Sequence, residues 1–423
     1  MQVQQKPTDI QSFGGINFVN EYLNSIGLDD IVLQKLGTRS VLAQYSYADL
    51  IRQLFFIALM GGEVLDDSNK LRQEFKRHPY LRIASPDTIE YAFLELRRPI
   101  RCVVTADGVT HQINEHAGFN QLLPRLCRKT GLLTTGGYTM DYDGHIVENE
   151  KKDNAFTYKK TEGYYPVVCS INKLPVYMQN RNGNTPEAYN QKNIIETAIN
   201  ECAQNGIRVC YFRADACCYE KHLLEYLETL QTPIRYTIRA EMNRGLLIAL
   251  QDEDEWQDVM IGYQKMQVCS IMHKVMGKQR RIVAYRKKIK SQLNLFEQDG
   301  YHYQALVTND HMKEVQTIEF YNQRGCLGEH HFKELDYDFN WNKLPFDNRE
   351  MNTIYMYATM VGYLLFHVIK EHYSKKLSFV NPTMRLKNFV LHFIILPARW
   401  VKTGRQWILK IFTTKEYSPL WNP

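Results

Sequence analysis

Residues 207–215 read IRVCYFRAD, and this stretch decides the fold. The run at residues 207–212 predicts a strand that is buried on both faces of a sheet. It ends in Arg213, Ala214 and Asp215. Because ligands of open α/β folds bind at the carboxyl ends of strands, Asp215 is predicted to lie at a ligand-binding edge. Taken alone, this aspartate is explained equally well as the N-cap of a following helix.

The segments around this strand predict an α/β core. Three strands precede it as an antiparallel meander, and helices and strands then alternate. The predicted strands are residues 138–147, 164–171, 174–178, 207–212, 234–238 and 301–308, with helices from residue 185 and at 219–230. Three antiparallel strands followed by helix, strand, helix and strand are the outline of a ribonuclease-H-like α/β fold.

Further segments are predicted to frame this core. Apolar residues at helical spacing and a helix start at Ser85 and Pro86 predict a helical region before it. The predicted parts are a helical N-terminal domain at residues 1–130, the ribonuclease-H-like core at 131–239 and 301–372, a β-rich basic insertion at 240–300, and a basic, aromatic and helical C-terminal tail at 373–423. The basic residues on the short N-terminal helices suit a DNA-binding domain, and an ordinary helical bundle explains them equally well.

The composition is that of a globular protein with a mildly basic charge. The 423 residues are 44% hydrophobic, and the net charge of +6 permits a nucleic-acid partner without requiring one. Nine cysteines without a CxxC pair indicate a reducing compartment. The polar start predicts no signal peptide, and the apolar segments 353–369 and 390–396 are expected to be core helices rather than membrane spans. No P-loop motif is present, so we expect no nucleotide partner. Without a predicted signal peptide or membrane span, we expect a cytoplasmic protein with no membrane partner.

Residues 321–335, YNQRGCLGEHHFKEL, predict the start of a long helix with an unusual set of charges. Glu329 and Lys333 are one turn apart, and Arg324 lies about a turn and a half before Glu329. An acidic group beside basic groups suits a site that holds a metal ion together with a phosphate. An ordinary charge pair on a solvated helix is the alternative.

Three acidic residues are predicted to converge on one site: Asp143, Asp215 and Glu329. Asp143 lies in the first core strand, although Asp141 is an alternative to it, and an aspartate before Gly144 also suits a turn. Converging carboxylates repel one another unless a divalent cation neutralises them. Mg²⁺ suits such oxygen ligands, and two ions about 4 Å apart can activate an attacking oxygen and stabilise a leaving one.

The chain resembles the DDE-type insertion-sequence transposases, specifically the bacterial branch with a tyrosine–arginine–glutamate–lysine signature. The resemblance spans nearly the whole chain and is carried mainly by three stretches. They are TMDYDGHIVENEKKDNAFTYKKTEGYYPVV at residues 139–168, VCYFRADACCYEKHLLEYLE at 209–228 and YNQRGCLGEHHFKELDYDFNWNKLPF at 321–346.

The resemblance implies roles for individual residues. It makes Asp143, Asp215 and Glu329 the catalytic, metal-binding triad, with Mg²⁺ as the cofactor and Mn²⁺ as a substitute. Tyr321 and Arg324 would contact the DNA backbone near the scissile phosphate. The chain departs from the family pattern in two ways: the spacing from Arg324 to the glutamate is one residue longer, and Asp336 occupies the place of the family's lysine. Lys333, one turn after Glu329, is the candidate substitute for that lysine.

The function that follows is transposition. The resemblance implies a homodimer that binds the terminal inverted repeats of its mobile element, cleaves phosphodiesters and joins the 3′ ends to target DNA. Its place would be the bacterial cytoplasm, associated with the nucleoid. A nuclease of the same fold without strand transfer and an inactive DNA-binding relic are the alternatives.

Overall fold

The computed structural model describes residues 1, 3–4, 9–289 and 300–421, and for residues 326–330 it describes the backbone alone. The helices in these ranges are α1 Gly15–Ser25, α2 Leu28–Leu36, α3 Tyr47–Leu59, α4 Ser68–Glu74, α5 Pro86–Leu96, α6 Ala117–Lys129, α7 Gln191–Gln204, α8 Lys221–Thr229, α9 Arg244–Gln251, α10 Glu314–Asp338, α11 Arg349–Ser374 and α12 Leu386–Phe389. The strands are β1 Arg101–Val104, β2 Thr110–Asn114, β3 Gly137–Gly144, β4 Val147–Glu148, β5 Ala155–Phe156, β6 Glu162–Tyr164, β7 Val167–Ile171, β8 Leu174–Arg181, β9 Arg208–Ala214, β10 Arg235–Arg239, β11 Gln257–Ile261, β12 Gln264–Val275, β13 Lys278–Lys288, β14 Tyr301–Thr308, β15 Ala398–Thr403 and β16 Gln406–Ile411.

One mixed sheet dominates the described part of the chain. Its strand order is β1-β2-β8-β7-β3-β9-β10-β14-β13-β12-β11. The pairs β3–β9 and β9–β10 are parallel, and the other neighbours are antiparallel. The predicted core strands are confirmed, and β9 buries Phe212, Arg213 and Ala214 at its carboxyl end. The chain is therefore a mixed α/β fold built on a large sheet.

The N-terminal region is helical only in part. Helices α1 to α5 form as predicted, and Ser85 caps α5 through the backbone N–H of Thr88 at 3.3 Å, with Pro86 at the first helical position. The expectation of a helical region up to residue 130 is wrong for β1 and β2, which form a hairpin that pairs with β8. Valines favour strands, and Gly108 at φ +77° supplies the turn between them.

The region at residues 240–289 extends the same sheet. Helix α9 comes first, and β11, β12 and β13 then continue outward from β14 in antiparallel register. The turn between β12 and β13 places Met276 and Gly277 at positive φ, as two-residue hairpins require. Residues 290–299, which belong to the predicted insertion, lie outside the described residues.

The C-terminal tail was predicted to be helical, and most of it is not. After α12 and a π-helical turn at Val390–Ile394, β15 and β16 form a two-stranded hairpin. Strand-favouring side chains such as Trp400, Val401 and Ile408 flank a tight turn with Gly404 at φ +62°. This hairpin packs against the start of the chain, where Gln11 bridges to Ala398.

Helix α11 forms the centre of the core. Its segment 353–369 is almost entirely buried, as expected for a core helix, and Phe393 and Ile394 of the second apolar segment are also fully buried. In the described ranges, no helix combines the length and apolarity that crossing a membrane requires. One continuous cluster of buried side chains joins the N-terminal helices, the central strands and α11. This shared core holds α10 against the carboxyl ends of β3 and β9.

Candidate active site

Asp143 and Asp215 meet at the carboxyl ends of two neighbouring parallel strands. Asp141 of β3 pairs with Arg213 of β9. Asp143 lies two residues further along β3, Asp215 directly follows the end of β9, and Nη2 of Arg324 lies within 4.0 Å of both carboxylates. The side chain of Asp143 is 26% exposed and that of Asp215 is 37% exposed. Both carboxylates are therefore anchored by the sheet and still open to a ligand.

The structure separates the roles of Asp141 and Asp143. Both oxygens of Asp141 accept hydrogen bonds at 2.8 Å, from Nε and Nη2 of Arg213, and both side chains are buried. Arg213 also donates to the backbone carbonyl of Phe320 at 2.6 Å and lies over its ring. Asp141 is thus committed to a buried ion pair, whereas Asp143 faces the open edge of the sheet.

The two carboxylate oxygens of Asp215 have different roles: one caps a short helix, and the other lies near Arg324 in the candidate site. Its Oδ1 accepts the backbone N–H of Cys217 at 2.9 Å, which caps the short 3-10 helix Ala216–Cys218. Its Oδ2 lies 4.0 Å from Nη2 of Arg324. The cap and the ligand interpretations of this residue are therefore compatible, since they use different oxygens.

Arg324 on α10 is the counter-ion of this pair. Its Nη2 lies 3.1 Å from Asp143 Oδ1 and donates to the backbone carbonyl of Tyr142 at 3.2 Å. Burial opposes the charge of Arg324, but Asp143 and Asp215 outweigh it and raise the pKa of the guanidinium. Burial raises the pKa of Asp143, with Asp215 acting in the same direction and Arg324 in the opposite one.

The helix that carries Arg324 begins earlier than predicted. It starts at Glu314 rather than near Tyr321, because Lys313 and Gln316 form a cap there. Tyr321 is consequently an interior helix residue, and its ring packs on a small apolar cluster that includes Ile318 and Leu306. Burial raises the pKa of Tyr321. Lys333 is exposed on the same helix.

Glu329 belongs to α10, but its side chain lies outside the described residues. The helix contacts the end of β3 on both sides of this position. Before it, Arg324 reaches Asp143, and after it Phe332 stacks on the ring of His145 with centroids 4.4 Å apart. The backbone of residue 329 therefore passes the same strand end that carries Asp143.

Asp336, at the place where the family signature has a lysine, pairs with a histidine. Both of its oxygens lie close to Nε2 of His145, at 2.9 and 3.0 Å. His145 follows Asp143 by two residues. This pair holds the second half of α10 against the residue that directly follows β3, the strand that carries Asp143.

Sequence reasoning missed a further acidic residue, Glu187. The helix expected from residue 185 begins only at Gln191, and Glu187 lies in the preceding turn. Ligand atoms of Glu187, Asp215 and Cys217 lie within 4.8 Å of one another. Burial, then Asp215 and Asp143, raise the pKa of Glu187 to about 7. A glutamate after Pro186 is a common helix start, so no sequence signal distinguished it.

These residues suit a divalent cation. The carboxylates of Asp143, Asp215 and Glu187 share one electrostatic neighbourhood, and their oxygens are the donors that Mg²⁺ and Mn²⁺ prefer. Oε1 of Glu187 is buried and has no hydrogen-bond partner among the described residues. A cation at this position would satisfy that oxygen and offset the unfavourable burial of the charged carboxylate.

Comparison with known proteins identifies the family of this chain. Residues 138–421 match the family described as transposase DDE domain, group 1. The chain is also similar to the piggyBac transposase in a cryo-EM structure of its synaptic complex with hairpin DNA, with a TM-score of 0.46 and 11% sequence identity over 90% of this chain and 77% of that one. No curated protein matches the chain. The family match covers the whole segment that builds the candidate site and more than half of the sequence, and the chain belongs to the DDE-domain transposases of group 1.

Proposed function

We propose that the chain is an active transposase whose catalytic core is ribonuclease-H-like. The strand order β8-β7-β3-β9-β10 supports this, with antiparallel pairs on one side of β3 and parallel pairs on the other. That order places an aspartate at the carboxyl end of β3 and another directly after β9, at one edge of the sheet. In this proposal, residues 1–130 and 373–423 flank the core, and 240–300 is its insertion.

Asp143, Asp215 and Glu329 are the proposed ligands of Mg²⁺, for which Mn²⁺ would substitute. When bound, the ions would supply activation of the attacking oxygen and stabilisation of the leaving oxygen of the phosphodiester. The observation that carries the proposal is the contact of Arg324 with both aspartates. A guanidinium in that position supports a site built to hold positive charge between two carboxylates.

The protein's own groups would orient the DNA around that site. Arg324 would release Asp143 and Asp215 when these carboxylates hold a cation, because both would use the same oxygens. The guanidinium would then be available to a DNA phosphate, for which its planar donors are well suited. Tyr321 and Lys333, on the same helix, are the other proposed contacts to the backbone.

DNA is the proposed partner, as the element's terminal inverted repeats and as a target. The net charge of +6 is compatible with phosphate contacts, and the hairpin β15–β16 carries Arg399, Lys402, Arg405 and Lys410. Together with the N-terminal helices, this hairpin would bind the ends of the element mainly through contacts to the DNA phosphate backbone. We propose that a homodimer brings two ends together, in the bacterial cytoplasm on nucleoid DNA.

The direct experiment is strand cleavage of DNA that carries the element's own ends, with Mg²⁺ or Mn²⁺. Asp215→Ala and Glu329→Ala are expected to abolish cleavage, because each removes a proposed metal ligand. Glu319→Ala is the matched control, since Glu319 is an exposed acid on the same helix. Cleavage by Asp215→Ala at the parent's rate would contradict the mechanism.

Joined product separates the transposase from its alternatives. A parent protein that cleaves and then links 3′ ends to a second DNA is a transposase. Cleavage without joined product would favour a nuclease of the same fold. Binding to the ends without cleavage in any divalent metal would favour an inactive relic.

A further inference from the structure

Buried side chains hold the backbone of the turn that carries Glu187 through hydrogen bonds. Arg181 is fully buried and donates to the backbone carbonyls of Pro186 and Tyr189, each at 2.8 Å. The hydroxyl of Tyr142 donates to the carbonyl of Glu187 itself, also at 2.8 Å. A buried arginine used in this way fixes the backbone of an irregular segment, so the position of Glu187 is determined before any ligand binds.

The carboxylate of Glu187 is oriented on one side and unsatisfied on the other. The hydroxyl of Tyr165 donates to its Oε2 at 2.9 Å. Its Oε1 is buried without a hydrogen-bond partner in the described part of the chain. Gly144 makes room for this arrangement, because a Cβ at that residue would meet the ring of Tyr165 at 2.8 Å. The end of β3, which carries Asp143, therefore packs closely against Tyr165, the residue that orients Glu187.

Holding a carboxylate in this way is unfavourable without a cation. A buried polar oxygen that lacks a partner costs free energy, and neighbouring carboxylates add repulsion. Arg324 makes ion-pair contacts with Asp143 and Asp215, and the described contacts give it no such contact with Glu187. The remaining negative charge therefore faces Asp215 and Cys217, whose ligand atoms lie within 4.8 Å of it.

We propose that Glu187 is an additional ligand of the divalent cation, which it binds together with Asp215. This inference rests on the proposed function, because it assumes the metal site formed by Asp143, Asp215 and Glu329. The competing explanation is structural: Glu187 would serve only as an acceptor for Tyr165. The two explanations differ in what they predict for metal affinity.

The test measures Mn²⁺ binding to the full chain without DNA, by electron paramagnetic resonance of the free ion. Glu187→Gln is expected to weaken Mn²⁺ binding at least about tenfold, as losses around metal sites commonly do. Tyr165→Phe removes the hydrogen bond but leaves the carboxylate, so its effect is expected to be smaller. If Glu187→Gln does not fold, Glu187→Asp keeps the charge, shortens the reach and is expected to weaken binding in the same direction.

Cleavage provides a second measurement with a different signature. The Mn²⁺ concentration for half-maximal cleavage is expected to rise at least about tenfold in Glu187→Gln, and high Mn²⁺ should restore the rate. Unchanged Mn²⁺ affinity in Glu187→Gln, with Asp215→Asn binding poorly, would overturn this inference alone. Unchanged affinity in Asp215→Asn would overturn the proposed metal site itself.

Discussion

The pair Asp141 and Asp143 offers the sharpest prediction, because the two residues share one strand face and are expected to respond in opposite ways. Asp141→Asn leaves the guanidinium of Arg213 charged and buried without its partner. Breaking a buried ion pair on one side typically costs about 3–5 kcal/mol of folding free energy. We expect a loss of stability of that size and near-parental cleavage per folded molecule.

Asp143→Asn is expected to do the reverse. Asp143 is partly exposed and lies beside Asp215, so its neutralisation relieves repulsion while it loses the contact with Arg324. These effects oppose each other, and we expect a net change in stability within about 1 kcal/mol, as for exposed pairs. Cleavage is expected to be lost because a proposed metal ligand is gone.

Urea unfolding and end-cleavage assays on the same preparations measure both quantities. Glu319→Gln is the control, because it neutralises an exposed carboxylate on α10 outside the proposed site. It is expected to unfold and cleave like the parent. The reasoning would be refuted by a stable, inactive Asp141→Asn together with an active Asp143→Asn. That result would make Asp141 the first catalytic aspartate.

Three further predictions concern charged or titratable side chains. Arg324→Ala is expected to bind Mn²⁺ several-fold more tightly, because the competing cation is removed, and to cleave more slowly; weaker Mn²⁺ binding would argue against its counter-ion role. Asp336→Ala removes the partner of His145 and is expected to cost about 1 kcal/mol of folding free energy, with slower cleavage because α10 is held less firmly. An unchanged melting temperature would show that the pair does not hold the helix. Burial lowers the pKa of His116 to about 4, so stability that is present above its unfolded pKa of about 6.5 is lost as the pH falls toward 4. His116→Asn keeps a capping side chain for α6 and is expected to reduce the loss of stability between pH 7 and pH 5 by about 2 kcal/mol; a pH dependence equal to the parent's would contradict the assignment.

Local sequence patterns predicted the strands that build the site. The run ending in Asp215 and the alternating strand around Asp143 both form where expected, because burial on one or both faces leaves a direct imprint on side-chain type. The cap at Ser85 was predictable for a similar reason, since it depends on neighbouring residues alone.

The features that the sequence did not reveal depend on distant partners. The choice between Asp141 and Asp143 requires Arg213, which is 72 residues away from Asp141 along the chain. The hairpins β1–β2 and β15–β16 lie in regions predicted to be helical. Each depends on a distant contact: β2 pairs with β8, and β15 packs against the N-terminal residues. Glu187 enters the site through a turn whose conformation is set by Arg181 and Tyr142.

The central claim is that Asp143, Asp215 and Glu329 meet around divalent ions at one edge of the sheet. The most direct measurement is a crystal structure of the chain with Mn²⁺, located by its anomalous scattering. The account predicts Mn²⁺ between the carboxylates of Asp143 and Asp215, with Glu329 from α10 as a further ligand. Mn²⁺ bound elsewhere, or Glu329 directed away from both aspartates, would contradict it.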